Sequence, residues 1–355
     1  MAGNAHLCTR PGPSAFGRAR AAARALRPYM IGFRRSSAWM ALFRITPVCR
    51  FRLLAAVVSG AVSLSACGAI KGMAINSVAD TLAKGTGDTF TRDNDVELIR
   101  DASAFALKLY ESLLESVPKN KDLLIATCGG FTQYAYAFID TDAIVLGEAH
   151  HDEVVKLNER TLNMYVRARD YCLRAMDLRF PGIRADLAKD PVSAVKRAKP
   201  SDVELLYWTA ASWGSAISLG VDKPELVIDL PTVRALAERA LALDPAWSNG
   251  AIYEMMISLD SLPEAIGGSP DRAREHFKRA VEIQKGRTPG PYVALALGVS
   301  VPTQNVEEFK KLLGAALEID PKANPSSMLV TLITQRRARA LLEQIDLLFV
   351  KQPRS

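Results

Sequence analysis

Residues 147–153 hold the histidines and carboxylates that could bind a metal ion. The segment reads Gly-Glu-Ala-His-His-Asp-Glu, with His150 and His151 followed by Asp152 and Glu153. Imidazole and carboxylate groups are ordinary zinc ligands. Adjacent positions on a helix face different directions, whereas a ligand pair on one helix needs a spacing of three or four residues. We therefore interpret this segment as the solvated start of a helix and predict no metal site.

Motifs of the common enzyme classes are absent from the sequence. It has no Gly-x-Ser-x-Gly nucleophile motif, no phosphate-binding loop, no His-Glu-x-x-His zinc motif and no Gly-x-Gly-x-x-Gly dinucleotide motif. Glu111 and Glu115 are paired carboxylates, but their spacing of four residues is typical of a solvated helix face. We therefore predict that the protein is not an enzyme and needs no cofactor.

Cys67 is the cysteine whose surroundings predict a modification. Residues 53–66 are uncharged and apolar, follow three arginines, and end in the segment Leu-Ser-Ala-Cys-Gly at 64–68. A basic start, a short apolar run and small residues at the end are typical of a secretory signal, and the run is too short to favour a membrane-spanning helix. The cysteine at this position predicts cleavage before Cys67 and its lipidation, as in bacterial lipoproteins. The alternative is an ordinary signal peptide with a chance cysteine.

The leader accounts for the basic net charge of the chain. Residues 1–66 hold ten arginines and no lysine, aspartate or glutamate, so removing them changes the net charge from +7 to −3. A mildly acidic body without a basic stripe argues against nucleic-acid binding. Residues 1–39 are unusual for a signal peptide. We expect the true start to be Met40, the alternative being an organellar transit peptide.

Cys128 and Cys172 are the cysteines of the predicted mature body. In an exported protein they could form a disulfide. Each lies in a helical context, and buried thiols that behave as small apolar side chains are the alternative. We slightly favour two separate thiols.

The spacing of apolar residues predicts helices after the leader. It is clearest in residues 230–268, where two alanine-rich runs with apolar residues at steps of three and four flank Asp244 and Pro245. Proline cannot continue a helix and disfavours helical geometry in the residue before it. These residues are therefore predicted to form a helical hairpin. Because no stretch alternates as a strand does, an all-α fold is expected.

The proline break recurs further along the chain. Residues 239–245 read Arg-Ala-Leu-Ala-Leu-Asp-Pro, and residues 315–321 read Ala-Ala-Leu-Glu-Ile-Asp-Pro. Alanine-rich helix pairs that end at a proline are typical of tetratricopeptide (TPR) repeats. We predict a degenerate TPR-like array of helical hairpins, an α-α superhelix. The predicted organisation is a leader at 1–66, a lipid anchor and tether at 67–92, and one helical domain at 93–350, in which residues 140–152 form a link.

Four aromatic residues are the candidates for lining a ligand site. Trp208 and Trp213 lie in the aromatic helix predicted at 201–220, and Tyr134 and Tyr136 lie in an early hairpin. The two tryptophans are five residues apart and do not share one helix face. Both could instead be core residues, which is the more common role of tryptophan in a helix.

The ordered helical segments resemble a known family, the T-component of tripartite ATP-independent periplasmic (TRAP) transporters. The resemblance extends over essentially the whole predicted mature chain, and no single motif is diagnostic. Its segments are TQYAYAFIDTDA (132–143), NERTLNMYVRARDYCLRAMDLRFPG (158–182), LLYWTAASWGSAISL (205–219), VRALAERALALDPAWSNGAIYEMM (233–256), GGSPDRAREHFKRAV (267–281), VSVPTQNVEEFKKLLGAALEID (299–320) and ITQRRARALLEQIDLLF (333–349).

The resemblance implies a lipid-anchored periplasmic accessory protein of a TRAP-type transport system. It implies binding to a periplasmic solute-binding protein, a channel or cleft for a small hydrophobic ligand, and a homotrimer. Tyr253 and Glu254 stand where the family pattern has a histidine-containing segment, so no polar role is carried over there. Gly68 after the anchor cysteine favours sorting to the outer membrane. The alternative function is a structural TPR lipoprotein that serves as a scaffold in envelope assembly and binds no small molecule.

Overall fold

Helices form the regular structure of this chain. The computed structural model describes residues 76–82 and 89–350, and no strand occurs in those residues. The predicted all-α fold is therefore confirmed. The leader, Cys67 and most of the tether lie outside the described residues.

The helices that follow residue 95 are numbered here in chain order. They are α1 Val96–Ser116, α2 Lys121–Tyr134, α3 Thr141–Leu146, α4 His151–Arg179, α5 Ile183–Lys189, α6 Pro191–Val195, α7 Val203–Leu219, α8 Pro224–Val227, α9 Leu230–Leu243, α10 Trp247–Asp260, α11 Pro270–Gln284, α12 Gly290–Leu295, α13 Val306–Glu318, α14 Met328–Glu343 and α15 Ile345–Leu348. Two π-helical segments follow α2 and α12 directly, at Ala135–Asp140 and Ala296–Ser300.

Local sequence explains where several of these helices begin. Asp95, Asn120, Ser269 and Asn305 precede α1, α2, α11 and α13, and each side chain accepts a hydrogen bond from a backbone N–H of the first turn. Such caps satisfy donors that have no partner inside the helix, and each contributes about 1 kcal/mol.

The predicted link at 140–152 is wrong in its first half, because residues 141–146 form α3. No glycine or proline separates α2 from α3, and the helical backbone continues through the π-helical segment between them. The helical run ends at Gly147, whose φ of 65° is a conformation that glycine adopts at little cost.

The hairpin predicted at 230–268 is present as α9 and α10, but each helix packs more extensively against another partner. Helix α9 packs mainly against α7, and α10 packs mainly against α11. The first turn of α10 is kinked at Ser248, Asn249 and Gly250, all with positive φ. The assignment of these pairs to a degenerate TPR-like array stays a prediction.

Helix α10 lies between the two largest hydrophobic cores. Its residues Ile252, Met256 and Leu259 belong to the core formed with α2, α4, α7 and α9, whereas Ile257 belongs to the core formed with α11–α14. A third cluster brings Leu329 and Ile333 of α14 against α1 and the first π-helical segment. Helix α14 also packs against α3. The late helix α14 therefore packs against the early helices α1 and α3.

The slightly favoured expectation for the cysteines was wrong. Cys128 of α2 and Cys172 of α4 form a disulfide across a sequence separation of 44 residues. Both side chains are fully buried where these two helices pack extensively against each other. The packing of α2 on α4 brings the sulfur atoms together, and helical periodicity alone gives no information on that distance.

Candidate ligand-binding site

The π-helical segment that follows α2 forms polar contacts with Arg337 of α14. A π-helical turn removes the regular i to i−4 bonding, and such segments are frequent at functional sites. Here the carbonyl oxygen of Tyr136 accepts a hydrogen bond from the Thr141 hydroxyl at 2.9 Å. It also accepts one from the Arg337 guanidinium at 3.4 Å. The irregular backbone is thus held by side chains.

Arg337 of α14 is a buried cation whose charge is neutralised. Its Nη1 donates to Asp140 Oδ2 at 2.7 Å and to Thr141 Oγ1 at 3.1 Å. Its guanidinium lies 4.2 Å from the centre of the Tyr136 ring, which is within the range of a cation–π contact. Burial opposes ionisation of Arg337, but Tyr136 and Asp140 raise its pKa above the ordinary value. Helix α14 is therefore joined to the first π-helical segment by an ion pair whose guanidinium is buried.

Glu254 of α10 is a partly buried acidic side chain whose carboxylate lies against Gly290 of α12. Burial raises the pKa of its carboxyl group from 4.5 to about 7. Among the described residues, no hydrogen bond and no ion pair to this carboxylate is found.

Tyr136 of the first π-helical segment and Tyr207 of α7 are partly buried tyrosines near Glu254. Burial is the main cause that raises the pKa of each phenol, and the negative charge of Glu254 raises it further. The charge of Glu254 on α10 thus acts on side chains of α7 and of the first π-helical segment.

Aromatic rings cluster around Tyr207 of α7. The ring of Tyr207 lies 4.9 Å from that of Trp208 and 4.6 Å from that of Trp247, measured between ring centres. Trp208 packs directly on Gly129 of α2, where a Cβ would meet its indole ring. The absence of a side chain at residue 129 thus permits the close approach of α7 to α2.

The four aromatic residues singled out from the sequence lie in three different environments. Tyr136 lies against the guanidinium of Arg337, and Trp208 lies against the ring of Tyr207. Trp213 is a buried core residue, with the guanidinium of Arg169 5.6 Å from its ring. The ring of Tyr134 lies 5.3 Å from that of Phe138, in the cluster that α1 and α14 share. Trp208 and Trp213 do point to different faces of α7.

Glu254, Tyr207 and Arg337 were not among the site residues predicted from the sequence. Glu254 interrupts an otherwise apolar run from Ala251 to Ile257, and this interruption was the available signal. Arg337 lies between two other arginines of α14, and nothing local distinguishes it from them. Its burial follows from contact with residues of the first π-helical segment.

Two open clefts among the described residues contain ion pairs that join helices. The first, of about 660 Å³, lies between α1, α3, α4 and α14. In it Arg100 forms two hydrogen bonds with Asp142, at 2.6 and 3.0 Å. This ion pair joins α1 to α3.

The second cleft, of about 310 Å³, lies between α9, α10 and α11 around the fully buried carboxylate of Asp260. Arg234 donates to Asp260 at 2.8 Å, Arg272 donates at 3.1 Å, and His276 Nε2 lies 3.1 Å away. Burial lowers the pKa of His276 against the opposing effect of Asp260. Asp260 is thus surrounded by donors, in contrast to Glu254.

Neither a metal centre nor a membrane span is found in the described part of the chain. Within residues 76–82 and 89–350, no group of three histidine, cysteine, aspartate or glutamate side chains is placed to hold a metal ion. No helix in the same residues combines the length and the apolar character needed to cross a bilayer.

Comparison with known proteins identifies the family of the chain. An uncharacterised protein of Treponema pallidum (strain Nichols) is 25% identical over 299 residues, which cover 79% of this chain and 93% of that relative. The sequence profile of the family described as TRAP transporter T-component matches residues 92–349, well over half of the 355 residues. This is a family of transport accessory proteins and not an enzyme family. The chain therefore belongs to the TRAP transporter T-component family.

Proposed function

We propose that this chain is the lipid-anchored periplasmic accessory component of a TRAP-type transport system. In this role it binds a solute-binding protein and takes a small, largely apolar ligand beside the aromatic side chains of α7. The observation that carries the ligand part of the proposal is a group of partly buried rings, in which the ring centres of Trp208 and Trp247 lie 4.9 and 4.6 Å from that of Tyr207. A pocket lined by aromatic side chains and a few polar groups is typical of a small-molecule site.

The proposed location outside the cytoplasm is supported by the disulfide between Cys128 and Cys172. Structural disulfides persist in oxidising compartments such as the periplasm and are rare in the cytosol. Lipidation of Cys67 then holds the protein at the membrane, and the outer membrane is the favoured site. Cys67→Ser should move the protein from the membrane fraction to the soluble periplasmic fraction. Equal membrane association of Cys67→Ser and the wild type would overturn the anchor.

The proposed face for the solute-binding protein lies on α1. Leu98 and Phe105 are exposed by 56% and 72%, and a spacing of seven residues places them on one side of the helix. An exposed pair of large apolar side chains on one face is suited to a protein partner. A second copy of this chain, as in the trimer that the family resemblance implies, is the competing occupant of this face.

Capture of the partner tests the proposed function directly. The tagged protein should retain a periplasmic solute-binding protein from a detergent extract of its native envelope. The Leu98→Asp, Phe105→Asp double variant should lose that protein, whereas Val221→Asp, at a residue 68% exposed elsewhere, should retain it. If the α1 variant keeps the partner but changes the oligomeric state, the face belongs to self-association. Failure of the wild type to retain any solute-binding protein would favour a structural scaffold instead.

A further inference from the structure

The helical stretch 76–82, which precedes α1, is docked at one end of the helical body. Asn120, which caps α2, donates to Asn76 Oδ1 at 3.1 Å and to Asp80 Oδ1 at 2.7 Å. Ala79 is fully buried in the core that contains α2 and α4. The point at which the chain joins the body is therefore fixed at the turn between α1 and α2.

The same turn contacts the C-terminal part of α4. Arg174 Nη2 donates to the carbonyl oxygen of Pro118 at 3.3 Å. Arg179, the last residue of α4, donates to Asp202 at 2.6 Å, and the same carboxylate accepts from the backbone N–H of Lys199 at 2.9 Å. These contacts bring three segments together. We call residues 76–82, 117–122 and 174–204 the docked end.

The length of chain before residue 76 limits how the body can lie on a membrane. Cys67, the proposed lipid anchor, precedes Asn76 by nine residues, which span at most about 32 Å when fully extended. Arg174 lies about 35 Å along α4 from the first residue of that helix, His151. If the His151 end of α4 rested on the membrane, Asn76 would be out of reach of the anchor. The reach of the chain therefore favours the docked end as the side toward the membrane.

The docked end is more basic than the rest of the body. It holds nine basic and seven acidic side chains, a net charge of +2, whereas the whole chain after residue 66 has a net charge of −3. Four of the seven carboxylates pair with basic side chains of the same end. Four exposed lysines of the docked end form no ion pair with another described residue. They are Lys119, Lys189, Lys196 and Lys199.

We propose that the docked end is a membrane-facing surface whose exposed lysines bind the phosphates of anionic phospholipid headgroups. This inference rests on the proposed lipidation of Cys67 and adds the orientation in which the anchored protein lies. A lysine close to an anionic membrane surface strengthens binding about fivefold. Val192 of α6 is 57% exposed between Lys189 and Lys196 and supplies an apolar contact at the level of the headgroups. The acyl chains attach the protein, and the lysines fix its orientation.

Lysine acetylation followed by mass spectrometry tests the orientation. The processed wild-type protein is reconstituted into vesicles of phosphatidylcholine and phosphatidylglycerol, reconstituted into vesicles of phosphatidylcholine alone, or kept in a neutral detergent. We expect the four lysines of the docked end to react at least about fivefold more slowly on the phosphatidylglycerol vesicles than in detergent. Lys156, Lys285 and Lys310, which are exposed elsewhere, should react at the same rate in both.

Hydrogen exchange separates recognition of the lipid charge from simple tethering. The backbone amides of residues 182–200 should exchange more slowly on vesicles with phosphatidylglycerol than on vesicles without it. Raised salt should reduce this difference, because it screens exposed charges. The difference should be lost in the variant Lys119→Gln, Lys189→Gln, Lys196→Gln, Lys199→Gln. It should persist in the control variant Lys156→Gln, Lys285→Gln, Lys310→Gln, and circular dichroism establishes that both variants are folded.

Three results would overturn the membrane-facing assignment. Equal protection of the two sets of lysines would show that the docked end does not face the membrane. Protection that is the same on both kinds of vesicle would show contact without recognition of the headgroup charge. Release of the processed wild type from the vesicles would remove the anchor and this orientation with it, while capture of a solute-binding protein tests the transport role independently.

Discussion

The carboxylate of Glu254 lies directly against the α-carbon of Gly290, in the volume that a Cβ would occupy. Glu254 belongs to α10, and Gly290 is the first residue of α12. A side chain at residue 290 would therefore overlap the Glu254 carboxylate, and glycine leaves the room that the carboxylate occupies.

Gly290→Ala should destabilise the fold by about 1–3 kcal/mol, because the new methyl group collides with the Glu254 carboxylate. Pro291 also disfavours helical geometry in a preceding alanine, because its ring clashes with the Cβ of that residue, and this effect is independent of Glu254. A double-mutant cycle with Glu254→Ala, measured by urea unfolding, isolates the contact from that effect. The penalty for alanine at residue 290 should be smaller when Glu254 is also replaced.

Gly314→Ala is the matched control, because a Cβ at this residue of α13 meets no atom within 4 Å. It should be neutral or stabilise the helix by up to about 1 kcal/mol. A Gly290→Ala penalty that is the same with and without Glu254 would contradict the coupling.

Glu254→Gln should become progressively more stable than the wild type as the pH rises. The folded pKa of Glu254 is raised from 4.5 to about 7, so the folded state holds a proton that the unfolded state has lost. The resulting destabilisation is absent below about pH 4.5, develops between about pH 4.5 and 7, and is complete above that range. Between about pH 5 and pH 8 the advantage of Glu254→Gln should grow by roughly 2–3 kcal/mol.

Chemical denaturation of both proteins at the two pH values measures this difference, because the other titrating groups are common to both. A constant difference in the free energy of unfolding would mean that the Glu254 carboxyl group titrates in the folded protein much as it does in the unfolded chain.

Arg337→Met should destabilise the fold by up to about 3–5 kcal/mol, because it leaves the partly buried Asp140 without its cation. The double variant Arg337→Met, Asp140→Asn should recover part of that loss, since no uncompensated charge remains. Arg339→Met, at an exposed residue of the same helix, should change the stability by less than about 0.5 kcal/mol. Thermal unfolding followed by circular dichroism ranks the three variants. A double variant less stable than Arg337→Met would argue against the ion pair as the source of the effect.

Replacement of both disulfide cysteines by alanine should cost about 4 kcal/mol, because the bond closes a loop of 44 residues in the unfolded chain. The wild type should lose a similar amount of stability in a reducing agent. The double alanine variant serves as the control, since its unfolding midpoint should be the same with and without the reductant. A wild type insensitive to complete reduction would show that the bond adds little beyond the packing of α2 on α4.

The sequence by itself was sufficient for the local features of this protein and for its family. Helical spacing, capping residues and the breaks at proline and glycine are read from neighbouring residues, and they located the helix at 201–220 and the two helices at 230–268. Local patterns were insufficient at α3, where a continuous helical backbone crosses a stretch that has no distinctive apolar spacing. The ordered family segments, which span several helices, agree with the match over residues 92–349.

Tertiary structure alone decided which residues form the candidate site. Arg337 and Asp140 are 197 residues apart, and Cys128 and Cys172 are 44 residues apart, so their pairing depends on which helices pack together. Trp208 and Trp213 look equivalent in the sequence, yet one lies beside Tyr207 and the other lies in the core. The environment of Glu254 is set by the packing of α10 against other helices, with Gly290 of α12 directly at its carboxylate. The burial and charge compensation of a side chain depend on the helices packed around it, whereas the apolar periodicity of α10 can be read from the sequence of α10 alone.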